Sequence, residues 1–175
     1  MSYIETYTGK RVDILLPDAE QICIEDIAHA LAQVPRFAGH GSEFYSVAQH
    51  SLNVAALLPK HLKLQGLLHD ATEAYLGDMP TPFKALLPDY QAAEQRMWNA
   101  ISFAFYLPKE VHPSVKQADK IMLMSERDRF KSESSGYWGQ EYEDTLRVEV
   151  EQYFGQHGVE RAFLAAYNEY KKLVS

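Results

Sequence analysis

Apolar residues recur at helical spacing through most of the chain. Ile24, Ile27 and Leu31 stand three or four positions apart until Pro35 interrupts them, which predicts a first helix. The same periodicity predicts six further helices, with bounds set largely by proline, glycine and capping residues. They run from residue 42 or 46 to 58, from 61 to 76, from 89 to about 105, from about 113 to 130, and near 142–154 and 159–173.

No stretch alternates apolar and polar residues for long enough to predict a sheet. Residues 1–21 are predicted to be irregular, with turns at 8–10 and 17–18, because glycine and proline interrupt any pattern there. Residues 36–41 (RFAGHG), 78–84 (DMPTPFK) and 132–139 are predicted to be loops. We therefore predict one all-α domain, a compact helical bundle that spans residues 1–175.

Composition narrows the class of protein. The chain has 175 residues, 46% of them hydrophobic, which suits a globular domain. Its formal net charge of −7, without a basic run, argues against a nucleic-acid polymer as partner. Cys23 is the only cysteine, so an internal disulfide and a thiolate-rich zinc site are excluded. The sequence lacks a signal-peptide pattern and a spanning apolar stretch, so we expect a cytoplasmic protein without a membrane partner.

Four side chains that can bind metal stand at inward positions of three predicted helices. His50 lies on the stripe of Val47, Val54 and Leu57, and His69-Asp70 follows an apolar pair. Asp119 lies between inward positions of a third helix. A single inward histidine is more often a hydrogen-bonded core residue than a ligand. The combination favours a metal, because burying an imidazole and two carboxylates without a cation costs several kcal/mol per ion.

Further reactive side chains surround this set. Glu73 shares the helix face of His69 and Asp70, and Asp78 follows a glycine that ends the predicted helix. Two carboxylates beside a metal suit water activation and protonation of a leaving group. Three cations that could bind a phosphate stand nearby in the sequence: Arg36, Lys84 and Lys116.

The series His50, His69-Asp70 and Asp119 resembles the HD-domain metal-dependent phosphohydrolases. The string HDATEAYLGDMPTPFK, residues 69–84, is similar to the HD-x-x-E-x-x-x-x-D-x-P-x-x-x-K stretch of the small bacterial 5′-deoxynucleotidases. The string RFAGHGSEFYSVAQH, residues 36–50, resembles their phage and prophage relatives, which include enzymes that remove triphosphate from dATP. The resemblance covers about residues 1–130.

This resemblance implies an HD-domain fold and a set of roles. His50, His69, Asp70 and Asp119 would hold one divalent transition metal, with Zn, Co, Mn, Fe and Ni as candidates. Glu73 would orient or deprotonate a metal-activated water that attacks phosphorus, and Asp78 would protonate the departing oxygen. The residues expected to bind the substrate are Arg36, Phe37, Lys84 and Lys116. Phe37 would stack on a base or cover the core.

The implied function is removal of phosphate from a small-molecule 2′-deoxynucleotide, as a 5′-nucleotidase or as a triphosphohydrolase with dATP as a candidate. The resemblance also implies a homo-oligomer. Gly39 departs from the dATP-cleaving enzymes, which can carry a bulkier residue there, so selectivity for the base and sugar stays open. Two alternatives also stay open. One is a non-catalytic nucleotide sensor, and the other is a cyclic-nucleotide or phosphodiester hydrolase, which often needs a second metal and more histidines.

Overall fold

The computed structural model describes residues 2–131, 136, 138–153 and 155–173. Most of these residues are helical, as the apolar periodicity predicts. The α-helices are α1 (Ile24–Gln33), α2 (Val47–Ala56), α3 (Lys63–Leu68), α4 (Glu73–Leu76), α5 (Thr81–Lys84), α6 (Pro88–Ala104), α7 (Pro113–Phe130), α8 (Gln140–Glu143) and α9 (Gln156–Tyr170). Short 3₁₀ turns lie at Ala19–Gln21, Arg36–Gly39, Lys60–Leu62 and Lys171–Leu173. That residues 1–175 form a single domain stays a prediction.

Two helices have the bounds that the sequence predicts. Helix α1 ends two residues before Pro35, and α7 begins at Pro113, where the missing amide of proline costs no hydrogen bond. The inward stripe predicted for α7 is buried: Val115, Ala118, Met122 and Ser125.

The prediction of an irregular N-terminus was wrong. Strands β1 (Tyr3–Glu5) and β2 (Arg11–Asp13) pair antiparallel, with Ile4 opposite Val12. The turn between them is where the sequence predicts it, with Gly9 at a φ of 83°. The amide and hydroxyl of Thr8 donate to the two carboxylate oxygens of Asp26, at 2.7 and 2.9 Å, and so attach the hairpin to α1.

The helix predicted over 61–76 is interrupted. Residues 69–72 form a turn between α3 and α4, with tight bonds from the Ala71 amide to the Leu68 carbonyl and from the Glu73 amide to the Asp70 carbonyl, both 3.0 Å. Gly77 ends α4 as predicted, at a φ of 78°. The interruption falls at the predicted ligand pair, His69 and Asp70.

Three further predictions need correction. The segment 78–84 is not entirely a loop, because its second half forms α5. Asp89 lies inside the first turn of α6 instead of capping it. The helix predicted over 142–154 is absent from the described residues of that segment beyond the short α8. The loop predicted at 132–139 falls largely outside the described residues.

Helix α2 is the central element of the fold. Every residue from Val47 to Ala55 is buried, and the helix packs against α1, α3, α7 and α9. One apolar cluster joins α2 to α1, α3, α6 and α9, and a second joins it to α7. Leu57 was predicted to face inward but is 41% exposed, because α2 ends at Ala56. Within the described ranges, no helix is long and apolar enough to cross a membrane.

Candidate metal centre

The fold brings the four predicted ligands together. His50 comes from the middle of α2, His69 and Asp70 from the turn after α3, and Asp119 from α7. One ligand atom from each of His50, His69 and Asp119 lies within 4.8 Å of the other two. Asp70 also faces this point, because its Oδ2 atom lies 3.2 Å from His69 Nε2 and 3.6 Å from His50 Nε2.

Both imidazoles are oriented by their Nδ1 atoms. His50 Nδ1 lies 2.7 Å from Glu126 Oε1, and His69 Nδ1 lies 2.7 Å from the Gly66 carbonyl oxygen. Each acceptor favours the proton on Nδ1, which leaves the Nε2 lone pair free for a metal. The two Nε2 atoms are buried and face carboxylates, with His50 Nε2 3.1 Å from Asp119 Oδ1 and His69 Nε2 3.2 Å from Asp70 Oδ2. Neither contact has the angles of a good hydrogen bond, and the described residues offer no better partner. A divalent cation would satisfy both.

The electrostatics of this point favour a cation. Burial and Arg36 oppose protonation of His50, yet Glu126 and Asp119 raise its pKa. His69 is similar, since Asp70 and Asp119 raise its pKa well above the ordinary value despite burial. Burial disfavours the charged form of Asp119, but the two histidines hold its pKa well below its usual range. The carboxylates thus stabilise positive charge at this point.

The donor set fits a divalent transition metal. Two imidazole nitrogens and carboxylate oxygens suit Zn, Co, Mn, Fe or Ni, whereas Mg prefers oxygen ligands. The Asp119 side chain is 40% exposed while His50 is fully buried, so Asp119 forms the solvent-facing edge of the ligand cluster.

The two predicted catalytic carboxylates both have raised pKa values. Burial, together with the charges of Asp70 and Asp78, raises the pKa of Glu73 well above its ordinary value. Burial and Asp70 also raise the pKa of Asp78. Glu73 lies at the start of α4, buried, with its Oε2 atom unpartnered among the described residues. Two carboxylates beside the ligand cluster that hold protons more tightly than usual suit proton transfer.

Arg36 lies inside the candidate site. Its Nη2 atom is 3.3 Å from Glu126 Oε2, and its Nη1 atom is 3.8 Å from Asp70 Oδ2. Burial disfavours its charge, but the surrounding carboxylates, Glu126 first among them, raise its pKa, so the guanidinium stays charged. Sequence reasoning missed Glu126, although it stands seven residues after Asp119, two turns along the same face of α7.

The other predicted substrate residues differ in their surroundings. Lys84 Nζ lies 2.6 Å from Glu94 Oε1, yet the charges of Glu73 and Asp70 help to raise its pKa against burial, so it is close to the site. Lys116 is exposed on α7, one turn before Asp119, and makes no ion pair with any residue that the structure describes. Phe37 is half-buried, and Lys131 Nζ lies 5.0 Å from its ring centroid.

The loop that carries Arg36 and Phe37 has an unusual backbone. Phe37, Ala38 and Gly39 all have positive φ, at 56°, 50° and 77°. For phenylalanine and alanine this conformation is strained, and such strain clusters at functional sites. Gly39 suits its backbone angle, which gives a structural reason for glycine at this position.

Comparison with known proteins assigns the chain to a family. It is 42% identical over 138 residues to YfdR, an uncharacterized protein of Escherichia coli, and the match covers 79% of this chain and 78% of YfdR. The chain belongs to the same family as YfdR. A second uncharacterized relative, from Rhodobacter capsulatus, is 42% identical over 123 residues, which cover 65% of this chain and 63% of that protein.

More distant similarity extends to proteins with a named activity. Proteins from Vibrio atlanticus and Photobacterium profundum, both named 5′-deoxynucleotidase, are each 32% identical over 111 residues. Each match covers 43% of this YfdR-family chain and 57% of the nucleotidase. A scan against protein-family models finds no match.

Proposed function

We propose that this YfdR-family protein is a metal-dependent phosphohydrolase that removes phosphate from 2′-deoxynucleotides. The observation that carries the proposal is the pair of buried, unpartnered histidine Nε2 atoms that face the carboxylates of Asp70 and Asp119. The two relatives named 5′-deoxynucleotidase support an HD-domain phosphohydrolase-like family and this class of substrate. Neither of their names mentions dATP or a phage, so a dATP preference rests on the motif resemblance alone.

The proposed ligands are His50, His69, Asp70 and Asp119. When bound, a divalent metal supplies Lewis-acid activation of water and of the phosphoryl group. Glu73 lies buried beside these ligands, so its carboxylate takes the proton from the attacking water or orients that water. Asp78, whose pKa is raised by burial, is the proposed donor of a proton to the departing oxygen.

The proposed phosphate-binding cations have unequal roles. Arg36 is held between Glu126 and Asp70, and its guanidinium can donate two hydrogen bonds to a phosphate. Lys84 is ion-paired with Glu94, so it contributes positive charge from the edge of the site. Lys116 is exposed and free to meet a longer phosphate chain. Phe37, beside Arg36, is the proposed contact for the base or sugar.

Catalysis is a better explanation than nucleotide sensing. A nucleotide sensor needs a pocket and a metal, but it does not need the carboxyl group of Glu73. Burial and the charges of two neighbouring carboxylates make the ionised form of Glu73 unfavourable, so a purely structural role does not explain its position. The described residues also give no second cluster of metal-binding side chains, and therefore no support for the two-metal phosphodiester hydrolases.

A product-resolved assay tests the proposal. The protein, loaded with Mn²⁺, Co²⁺ or Zn²⁺, is incubated with the four dNMPs and four dNTPs, and inorganic phosphate is separated from triphosphate. We expect release from deoxynucleotides only in the metal-loaded protein, and loss of that release in Asp70→Ala. Phosphate alone would identify a nucleotidase, and triphosphate would identify a triphosphohydrolase.

Two controls sharpen this assay. Glu143→Gln changes a carboxylate that pairs with Arg127 and is not a candidate ligand, so this variant should keep the activity. A nucleotide that raises the melting temperature but is not consumed with any of the three metals would refute catalysis and favour the sensor.

A further inference from the structure

One buried carboxylate connects two parts of the proposed site. Glu126 has a fully buried side chain on α7. Its Oε1 atom lies 2.7 Å from Nδ1 of His50, a proposed metal ligand, and its Oε2 atom lies 3.3 Å from Nη2 of Arg36, a proposed phosphate ligand. Both contacts cross from α7 to other elements, α2 in one case and the strained Arg36–Gly39 turn in the other.

Only a carboxylate can accept hydrogen bonds from both partners through separate oxygens. The guanidinium of Arg36 only donates, so its partner must be an acceptor. His50 must donate from Nδ1 if its Nε2 atom is to bind a metal. A glutamine at position 126 offers one acceptor and one donor, so it can satisfy Arg36 or the required tautomer of His50, but not both.

Arg36 depends more on Glu126 when a metal is present. Its other partner is Asp70 Oδ2, at 3.8 Å, and this same oxygen lies 3.2 Å from His69 Nε2 and 3.6 Å from His50 Nε2. An Asp70 that ligates a metal has less negative charge to share with Arg36. Glu126 then remains as the nearer acceptor that fixes the guanidinium.

We propose that Glu126 is a positioning residue that sets the metal-binding tautomer of His50 and orients Arg36 for phosphate. The proposal rests on the proposed function, and it adds a residue that acts through two others. It explains why an anionic side chain is buried away from solvent at this place, since the same carboxylate serves the metal ligand and the phosphate ligand.

The isosteric variant Glu126→Gln tests the proposal with two measurements. The first is the affinity for Co²⁺, followed by its visible absorption. We expect this affinity to fall by about 10–100-fold, the usual cost of removing a partner that orients a ligating histidine.

The second measurement is the tautomer of His50 in metal-free protein. It is read from histidine ¹⁵N chemical shifts at a pH where this imidazole is neutral. The His50 signals are identified by their absence in His50→Gln. Wild type should carry the proton on Nδ1, and Glu126→Gln should move it to Nε2, because the amide keeps its oxygen on the charged Arg36.

Two further variants separate positioning from general damage to the fold. Glu143→Gln makes the same chemical change at a carboxylate that accepts from Arg127 at 2.7 and 3.1 Å, and it should keep wild-type Co²⁺ affinity. Ser125→Ala removes a buried hydroxyl beside Glu126, and it should lower stability without moving the His50 proton. If Glu126→Gln binds Co²⁺ as wild type does, or loses affinity with an unchanged tautomer, the proposal is wrong. A wild-type protein that binds no metal would refute the proposed function, while the tautomer measurement would still test the role of Glu126.

Discussion

At the scale of single residues, the candidate site keeps side chains that folding alone would disfavour. Glu73 is buried beside Asp70 and Asp78, and these neighbours together with burial raise its pKa well above the ordinary value. Its Oε2 atom has no hydrogen-bond partner among the described residues. Such a group lowers stability whenever it is ionised, so its presence is best explained by the chemistry that we propose for it.

Replacing Glu73 with glutamine should separate activity from stability. We expect the turnover rate to fall by about 10²–10⁴-fold, the usual contribution of a general base, while Co²⁺ affinity stays near that of wild type. Steady-state kinetics and Co²⁺ titration measure the two quantities. Equal loss of metal affinity and rate would instead make Glu73 a ligand.

The same variant gives a prediction for the pH dependence of stability. In the folded protein the pKa of Glu73 is raised, so between its unfolded and folded pKa values the folded state binds the extra proton. Stability of the wild type therefore falls as pH rises through this interval, and glutamine removes this loss. In metal-free protein, the melting temperature of Glu73→Gln should exceed that of wild type by more at pH 8 than at pH 4. A difference that is constant across this range would contradict the assigned pKa shift.

Side-chain type and spacing revealed part of the site but not all of it. His50, His69, Asp70 and Asp119 could be found because metal-binding side chains at inward helical positions are unusual. Glu126 could not, because glutamate in a helix rich in charged residues is ordinarily exposed, and only the packing of α7 on α2 buries it. The ion pair of Lys84 with Glu94 also depends on tertiary structure, namely the approach of α5 to α6.

At the scale of elements, the start of α2 fixes the position of His50. Ser46 accepts a hydrogen bond from the Gln49 amide, and the Gln49 side chain accepts one from the Ser46 amide, which forms a capping box in a buried environment. His50 follows directly in the next turn, so the cap anchors the first ligand of the proposed metal site.

Serine-to-alanine variants at the N-cap of this helix and inside it should differ in their effect on stability. Ser46→Ala removes the cap and should cost about 0.5–2 kcal/mol of unfolding free energy. Ser51 is also buried, but its hydroxyl has no partner in the part of the chain described, so Ser51→Ala should be neutral or stabilising. Urea unfolding of both variants measures the difference. If both lost stability equally, burial of the hydroxyls and not the capping box would be the controlling feature.

Elements were predictable where local pattern and tertiary packing agree. Helices α1 and α7 have prolines near their ends and clear inward stripes, so their bounds followed from the sequence. The N-terminal strands have three residues each, too few for alternation to show. Residues 144–153 were predicted as helix, but Val148 and Glu151 donate their amides to Ser125 and Asn53 instead of to a helical turn. The turn at 69–72 contains three weak helix formers, His69, Asp70 and Thr72. The helical spacing of apolar residues nevertheless continues across it, so that spacing alone predicted an unbroken helix.

At the scale of the whole molecule, the net charge of −7 and the proposed metal site are connected. Several carboxylates converge on His50 and His69 from α4, α7 and the segments that flank α4, with Arg36 and Lys84 as the nearby cations. In metal-free protein the histidines stabilise the charges of Asp70 and Asp119, whereas burial and neighbouring carboxylates disfavour those of Glu73 and Asp78. A divalent cation that binds only the folded state would add to the stabilising charge and link the packing of α2, α3 and α7 to metal occupancy.

Metal should therefore raise the melting temperature of the whole chain. At a free concentration 100 times the dissociation constant, binding adds about 2.7 kcal/mol to stability, which corresponds to roughly 5–11 °C for a domain of this size. Differential scanning calorimetry with Co²⁺ or Zn²⁺, followed by excess chelator, measures the gain and its reversal. Asp119→Asn removes a proposed ligand carboxylate while the fold around α7 stays packed through Val115 and Met122. The two histidines stabilise the ionised form of Asp119, so the metal-free variant should melt somewhat below wild type at neutral pH. Its gain on adding metal should shrink to a fraction of the wild-type gain. If instead Asp119→Asn responded to metal as wild type does, the stabilising cation would bind elsewhere, and the convergence of ligands from α2, α7 and the turn between α3 and α4 would need another explanation.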